Sequence, residues 1–165
     1  MNTNYIEIIN QTGVSINYSY LYTVFDWMKS DALFQEHAHC SLKLTENNEI
    51  QQYNKRYRGN NQPTDVLAFP SDIDFVVSPH PDKNQSPVQM SQLTSLSFIG
   101  DIMIDLDVAK NDLEHQSLDH KVAELFVNGL LHLAGFDHIT PQAKANMLQH
   151  ENNYQQKIKI GIDLQ

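Results

Sequence analysis

One cysteine, Cys40, in 165 residues leaves no partner for a disulfide within the chain, and it suits a reducing compartment. No apolar run approaches the roughly 20 residues that a membrane span requires, so no membrane partner is expected. Basic residues are scarce. Eleven Lys and Arg stand against twenty Asp and Glu, a net charge of −9. That balance argues against a protein that holds nucleic acid by global attraction, and DNA is not an expected partner. Any RNA contact has to come from a local basic patch or a metal. The opening residues, MNTNYIEIINQTG, lack both a basic segment and an apolar segment of a secretory leader. The expectation is a cytoplasmic protein.

What is present is sufficient for one core. Hydrophobic residues make up 41% of the chain, so neither a metal nor cross-links are needed simply to fold, and residues 1–165 read as a single domain. Tyr5 to Ile9 predicts a strand. Leu21, Val24, Phe25 and Met28 recur at helical spacing within a helix expected over about 18–36. Leu42 and Leu44 alternate with polar neighbours as in a second strand, and a short helix is expected over 48–57. Gly59 to Pro63 is turn chemistry, and Asp65 to Phe69 reads as a strand. Residues 71–95 hold three prolines among many Ser, Gln and Asn; this is long for a connection and is expected to be a mobile loop. Leu96 to Asp105 predicts the clearest strand, with Leu96, Phe98, Ile102 and Ile104 on one face. Helices follow at about 107–114 and 118–134, the second stopped by Gly135, and Thr140-Pro141 opens a last helix. Strands and helices mix without strict alternation, which indicates an α+β fold.

Chemistry concentrates in Asn128-Gly-Leu-Leu-His132-Leu-Ala-Gly135-Phe-Asp-His138. Residues four apart on a helix lie one above the other, so Asn128 and His132 share a face. Gly135 permits a positive φ and a sharp return, which lets His138 point at the same spot. Two side chains from a helix and one from the turn after it form a tripod with an open side, as catalytic metal sites do. The spacing also matches the end of the metzincin pattern, but Asn128 stands for its first His and Gly129 for the glutamate that would serve as base. A metalloprotease without that base is disfavoured. Against this stands the plainer reading of a histidine near a helix end as a cap or core residue. His37, His39, His80, His115, His120 and His150 have no ligand spacing and are read as surface histidines. Thr64 and Asp65 are read as turn residues, Asp137 as a candidate for orienting an imidazole, and Glu124 as a solvated residue or a support for Asn128.

NGLLHLAGFDH resembles the His-Gly-x-Leu-His-Leu-x-Gly-Tyr-Asp-His signature of the YbeY family of bacterial rRNA maturation factors. YNKRYRGNNQPTDVLAFP and IGDIMI resemble two further segments of that family in the same order, and Met147 with Glu151 fit its last helix. The resemblance spans about residues 50–155. It implies a mixed sheet flanked by helices, related to zincin-like metal hydrolases. It implies a zinc-dependent endoribonuclease specific for single-stranded RNA, acting on small-subunit (16S) rRNA at its 3′ end and in ribosome quality control, with the small ribosomal subunit as partner. The family's three metal histidines carry over to Asn128, His132 and His138, and its groove arginine to Arg58. Arg58 and His132 are then the catalytic candidates, with Lys55 and Arg56 adding to an RNA-binding edge around Arg58. Without the resemblance, all three cations read as a solvated helix end. Asn128 leaves three readings open: a weaker oxygen ligand, water in its place, or a site that binds RNA without cutting it. The last corresponds to a non-catalytic ribosome-assembly factor.

Overall fold

A computed structural model describes residues 5–71, 97–113 and 116–162. The chain runs β1 (Ile6–Asn10), α1 (Ser19–Ser30), β2 (Ala38–Thr45), α2 (Asn47–Arg58), β3 (Val66–Pro70), β4 (Ser97–Asp105), α3 (Leu106–Asn111), α4 (Leu118–Leu133) and α5 (Pro141–Ile162). The four strands form one mixed sheet in the order β1-β2-β4-β3. β1 pairs parallel to β2 and β2 parallel to β4, whereas the edge strand β3 runs antiparallel to β4. This is the expected α+β arrangement. The expected mobile loop, apart from Ser71, lies outside the described residues. Among the described residues, no helix is long and apolar enough to cross a membrane.

Strand alternation sends two sets of side chains to opposite faces of the sheet. Ile6, Leu42, Leu44, Ile102, Ile104 and Ala68 join the main core with Leu21, Val24, Phe25 and Met28 of α1 and the apolar stripe of α4. On the other face a small second core of Ile50, Leu67 and Met103 lies under α2, flanked by Phe69. Cys40, wholly buried in the main core, has its thiol pushed up to about 12 by burial, which leaves it inert as a nucleophile.

α4 can lie close to the sheet because Gly129 has no side chain: a Cβ there would meet Ile102 Cγ2 at 2.8 Å. Gly100 is equally constrained. Its φ is 140°, and a Cβ would stand 2.3 Å from the carbonyl oxygen of Phe69.

Two expectations are corrected. The helix expected over 18–36 ends at Ser30. Ala32 turns left-handed (φ 59°), and the amides of Ala32 and Leu33 donate to the carbonyls of Lys29 and Met28. This is a Schellman stop without its usual glycine, which is why composition did not reveal it. In β4 the register shifts opposite His39 and Cys40, so the alternation slips by one residue. Ile99, not Phe98, therefore joins Ile102 and Ile104 in the main core, and Phe98 packs against His39 with ring centres 5.3 Å apart. Leu96 lies outside the described residues.

Candidate functional site

α4 carries Asn128 and His132 one helical turn apart, on the edge of its buried stripe. The helix stops by a second Schellman pattern, here with glycine: Gly135 (φ 91°) donates to the carbonyl of His132, and Phe136 N–H donates to that of Leu131. The turn brings the carbonyl of Phe136 to 3.0 Å from His132 Nδ1. A carbonyl only accepts, so Nδ1 carries the proton and Nε2 is left with its lone pair. The returning chain sets His138 beside His132, ring centres 5.4 Å apart and nearly edge to face. Burial lowers the His132 pKa, and the nearby His138 and Arg58 act in the same direction; both effects favour the neutral imidazole that binds metals.

Asn128 points into the same space and is held from outside. Its Nδ2 donates to Glu151 Oε1 at 2.7 Å. A carboxylate accepts and an amide nitrogen donates, so this contact fixes which way the amide faces and leaves its carbonyl oxygen free. Glu151 reaches it because α5 buries Met147, Tyr154 and Ile158, and position 151 falls in that stripe. α5 is also tied to the end of α1, where Asp31 accepts from Tyr154 Oη at 2.8 Å and Lys157 Nζ at 2.9 Å. The Lys157 contact holds the Asp31 carboxyl below its ordinary range.

Asn128, His132, His138 and Arg58 line one cavity of about 330 Å³, together with Thr64, Asp65, Lys121, Glu124 and Glu151. The structure thus brings together the four residues expected at the site. Lys55 and Arg56 do not line this cavity; they are exposed on α2. Thr64 and Asp65, read from sequence as turn residues, contribute polar atoms to its wall while Asp65 accepts from Thr64 Oγ1 and from Val66 N–H. Glu124 lines the cavity but accepts from Gln116 rather than from Asn128. Asp137 accepts from the Ile139 amide and orients no imidazole. Glu151 is the residue whose role the sequence reading missed. Its signal was a carboxylate placed four residues after Met147 and three before Tyr154, inside an apolar stripe. Of the supposed surface histidines, His39, His120 and His150 are half-buried against aromatic rings. His80 and His115 lie outside the described residues.

Among the described residues, no three His, Cys, Asp or Glu side chains gather as a metal cluster. Beside the pair His132 and His138, the same cavity is lined by Asn128, whose amide oxygen is a further possible donor. The donor set fits a divalent cation: with bonds of about 2.0–2.1 Å and tetrahedral angles, two imidazoles on one zinc have ring centres about 5 Å apart. The cavity offers two nitrogen donors, one neutral oxygen donor, an open side and a guanidinium at its rim. Such a set can hold a metal, a water and a phosphate together.

A family model described as Endoribonuclease YbeY matches residues 7–159. A relative named Endoribonuclease YbeY in Leuconostoc mesenteroides is 30% identical over 144 residues, 84% of this chain and 87% of that protein. One of the same name in Bacillus subtilis is 29% identical over 147 residues, 86% and 87% respectively. The solution structure of TM1509 from Thermotoga maritima has a similar fold, with a TM-score of 0.53 at 19% identity over 93% of this chain and 88% of that one.

Proposed function

Because the chain belongs to the endoribonuclease YbeY family, we propose that the cavity between α4, α5 and β3 is a hydrolytic centre that cuts single-stranded RNA with the help of one zinc ion. The observation that carries this reading is the meeting of His132, His138, the carbonyl oxygen of Asn128 and Arg58 at one opening. The substrate is 16S rRNA at its 3′ end, and the chain acts as one cytoplasmic domain on the small ribosomal subunit, in maturation and quality control.

His132 and His138 would hold the metal through ring nitrogens, and Asn128 would do so through its oxygen. When bound, the ion supplies a Lewis acid for the scissile phosphate and lowers the pKa of the attacking water. The remaining tasks belong to side chains. Arg58 forks onto phosphate oxygens and offsets the charge that builds there. Glu151 keeps the Asn128 amide from turning its N–H groups toward the cation. Lys55 and Arg56 draw the strand towards the helix end on a protein that otherwise repels it. A protease reading is disfavoured further by Gly129, whose Cβ direction runs into Ile102 rather than into the cavity.

The test is metal content of the protein purified without chelators, with cleavage of a single-stranded RNA in parallel. Wild type is expected to hold about one zinc and to cut; His132→Ala and His138→Ala are expected to lose both. Arg58→Ala is expected to keep the metal and lose turnover. The second reading, an assembly factor that binds rRNA without cutting, is favoured by the neutral ligand at Asn128. RNA binding with no cleavage in metal-loaded protein would establish that reading instead.

A further inference from the structure

A second cavity of about 510 Å³ opens on the opposite face of the sheet from α4. Among the described residues, helix α2 packs over the β3–β4 side of that face. A groove remains between Tyr53, Tyr57 and Phe69 on one wall and Ile9, Ser41, Lys43 and Asp101 below. Its aromatic wall is unusually open for a core-forming set: Tyr57 is 56% exposed and Tyr53 37%. The two tyrosine rings lie near-parallel with centres 6.1 Å apart, and Phe69 closes edge-on against Tyr57 at 5.2 Å. The Arg56 guanidinium lies 5.4 Å from the Tyr57 ring centre.

The groove and the hydrolytic cavity lie on opposite faces of the sheet and are lined by neighbouring residues of the same two elements. Arg58 lines that cavity and Tyr57, its neighbour on α2, lines the groove; Ala68 and Phe69 divide in the same way along β3. Among the described residues β3 is the sheet edge, so the short path for a chain from one opening to the other runs around it.

We propose that the groove is a nucleobase subsite, in which a base of the single-stranded RNA flanking the scissile bond stacks on Tyr57. The inference rests on the hydrolytic reading above, from which it takes its ligand class. Three features favour a base over an apolar peptide side chain. Flat aromatic faces stack on any base, and such platforms are a general device for single strands. The floor holds a hydroxyl, Ser41, and a carboxylate, Asp101, which an aliphatic group would leave without partners. The cations Lys55, Arg56 and Arg58 sit at the helix end, where phosphates would run, while the Asp101 carboxylate lies where a phosphate would be repelled and a base amino group accepted. The subsite should therefore prefer cytosine or adenine, which present an exocyclic amine, over uracil.

The experiment measures binding of fluorescent single-stranded octamers by anisotropy in chelator, so that no strand is cut. Tyr57→Ala is expected to weaken oligo-C binding by roughly ten-fold or more, with Tyr57→Phe close to wild type and circular dichroism unchanged. Asp101→Asn is expected to erase the preference for oligo-C over oligo-U. A strand made abasic at every position should bind wild type and Tyr57→Ala alike. Equal oligo-C binding by Tyr57→Ala and wild type would overturn the subsite, as would an equal loss on the abasic strand, or an apolar peptide that fills the groove without displacing RNA. A wild type that binds no RNA would also overturn it. Failure of the hydrolytic reading has a separate signature: intact Tyr57-dependent binding, with cleavage that survives His132→Ala.

Discussion

Asn128 differs from an imidazole mainly in the atom it presents. Its oxygen is neutral and harder than a ring nitrogen, so in the proposed site it would bind zinc more weakly, and the Glu151 contact occupies the amide nitrogen and leaves the oxygen as the available donor. Asn128→His is expected to raise zinc affinity by an order of magnitude or more, since even changes behind the ligands cost roughly 10–100-fold. Competitive zinc titration of the two proteins checks this, and equal affinities would remove Asn128 from the metal. The sequence displayed this residue openly: four-residue spacing put Asn128 and His132 on one face, and Gly135 announced the return to His138. Glu151 was less legible, because its partner lies 23 residues away and only the packing of two helices brings them together.

At the scale of elements, most boundaries followed from periodicity, and the misreadings came where a backbone feature was hidden. Nothing in the composition of SDALFQE says that Ala32 adopts a left-handed conformation, because glycine is the usual signal. That conformation costs an alanine roughly 1–2 kcal/mol. Substituting glycine relieves it but returns about 0.4–1 kcal/mol of freedom to the unfolded chain. Ala32→Gly is thus expected to stabilise the protein by about 0.5–1 kcal/mol, a rise of a few degrees in Tm at this chain length. Thermal unfolding followed by circular dichroism decides it; a lower Tm would mean that α1 is not stopped in this way. The slip in β4 was hidden for a related reason. A bulge depends on which strand lies alongside, and β2 is far away in sequence.

For the whole molecule, charge sets the terms on which RNA is met. A protein at −9 repels a polyanion at long range, so attraction has to be local, and the last turn of α2 gathers three cations, Lys55, Arg56 and Arg58. If Lys55, Arg56 and Arg58 each neutralise one phosphate, the logarithm of affinity should fall against the logarithm of salt with a slope of about −2 for a single strand. Anisotropy titrations between low and moderate salt measure the slope. A value near zero would place the strand away from this helix end, and a much steeper one would require a wider basic surface than the described residues provide.

The turn after α4 joins two tasks in one peptide unit. The glycine that ends the helix is also what delivers the Phe136 carbonyl to the His132 ring, so the imidazole waits in one tautomer, already aimed, before any cation arrives. Less motion is then frozen out on binding, which favours the bound state without adding a ligand. On the proposed metal reading, binding then depends on more than the residues that would touch the ion. A collection of random variants screened for lost metal would return Gly135 alongside the histidines, although Gly135 has no side chain to offer, because the ligand's aim is written in the backbone.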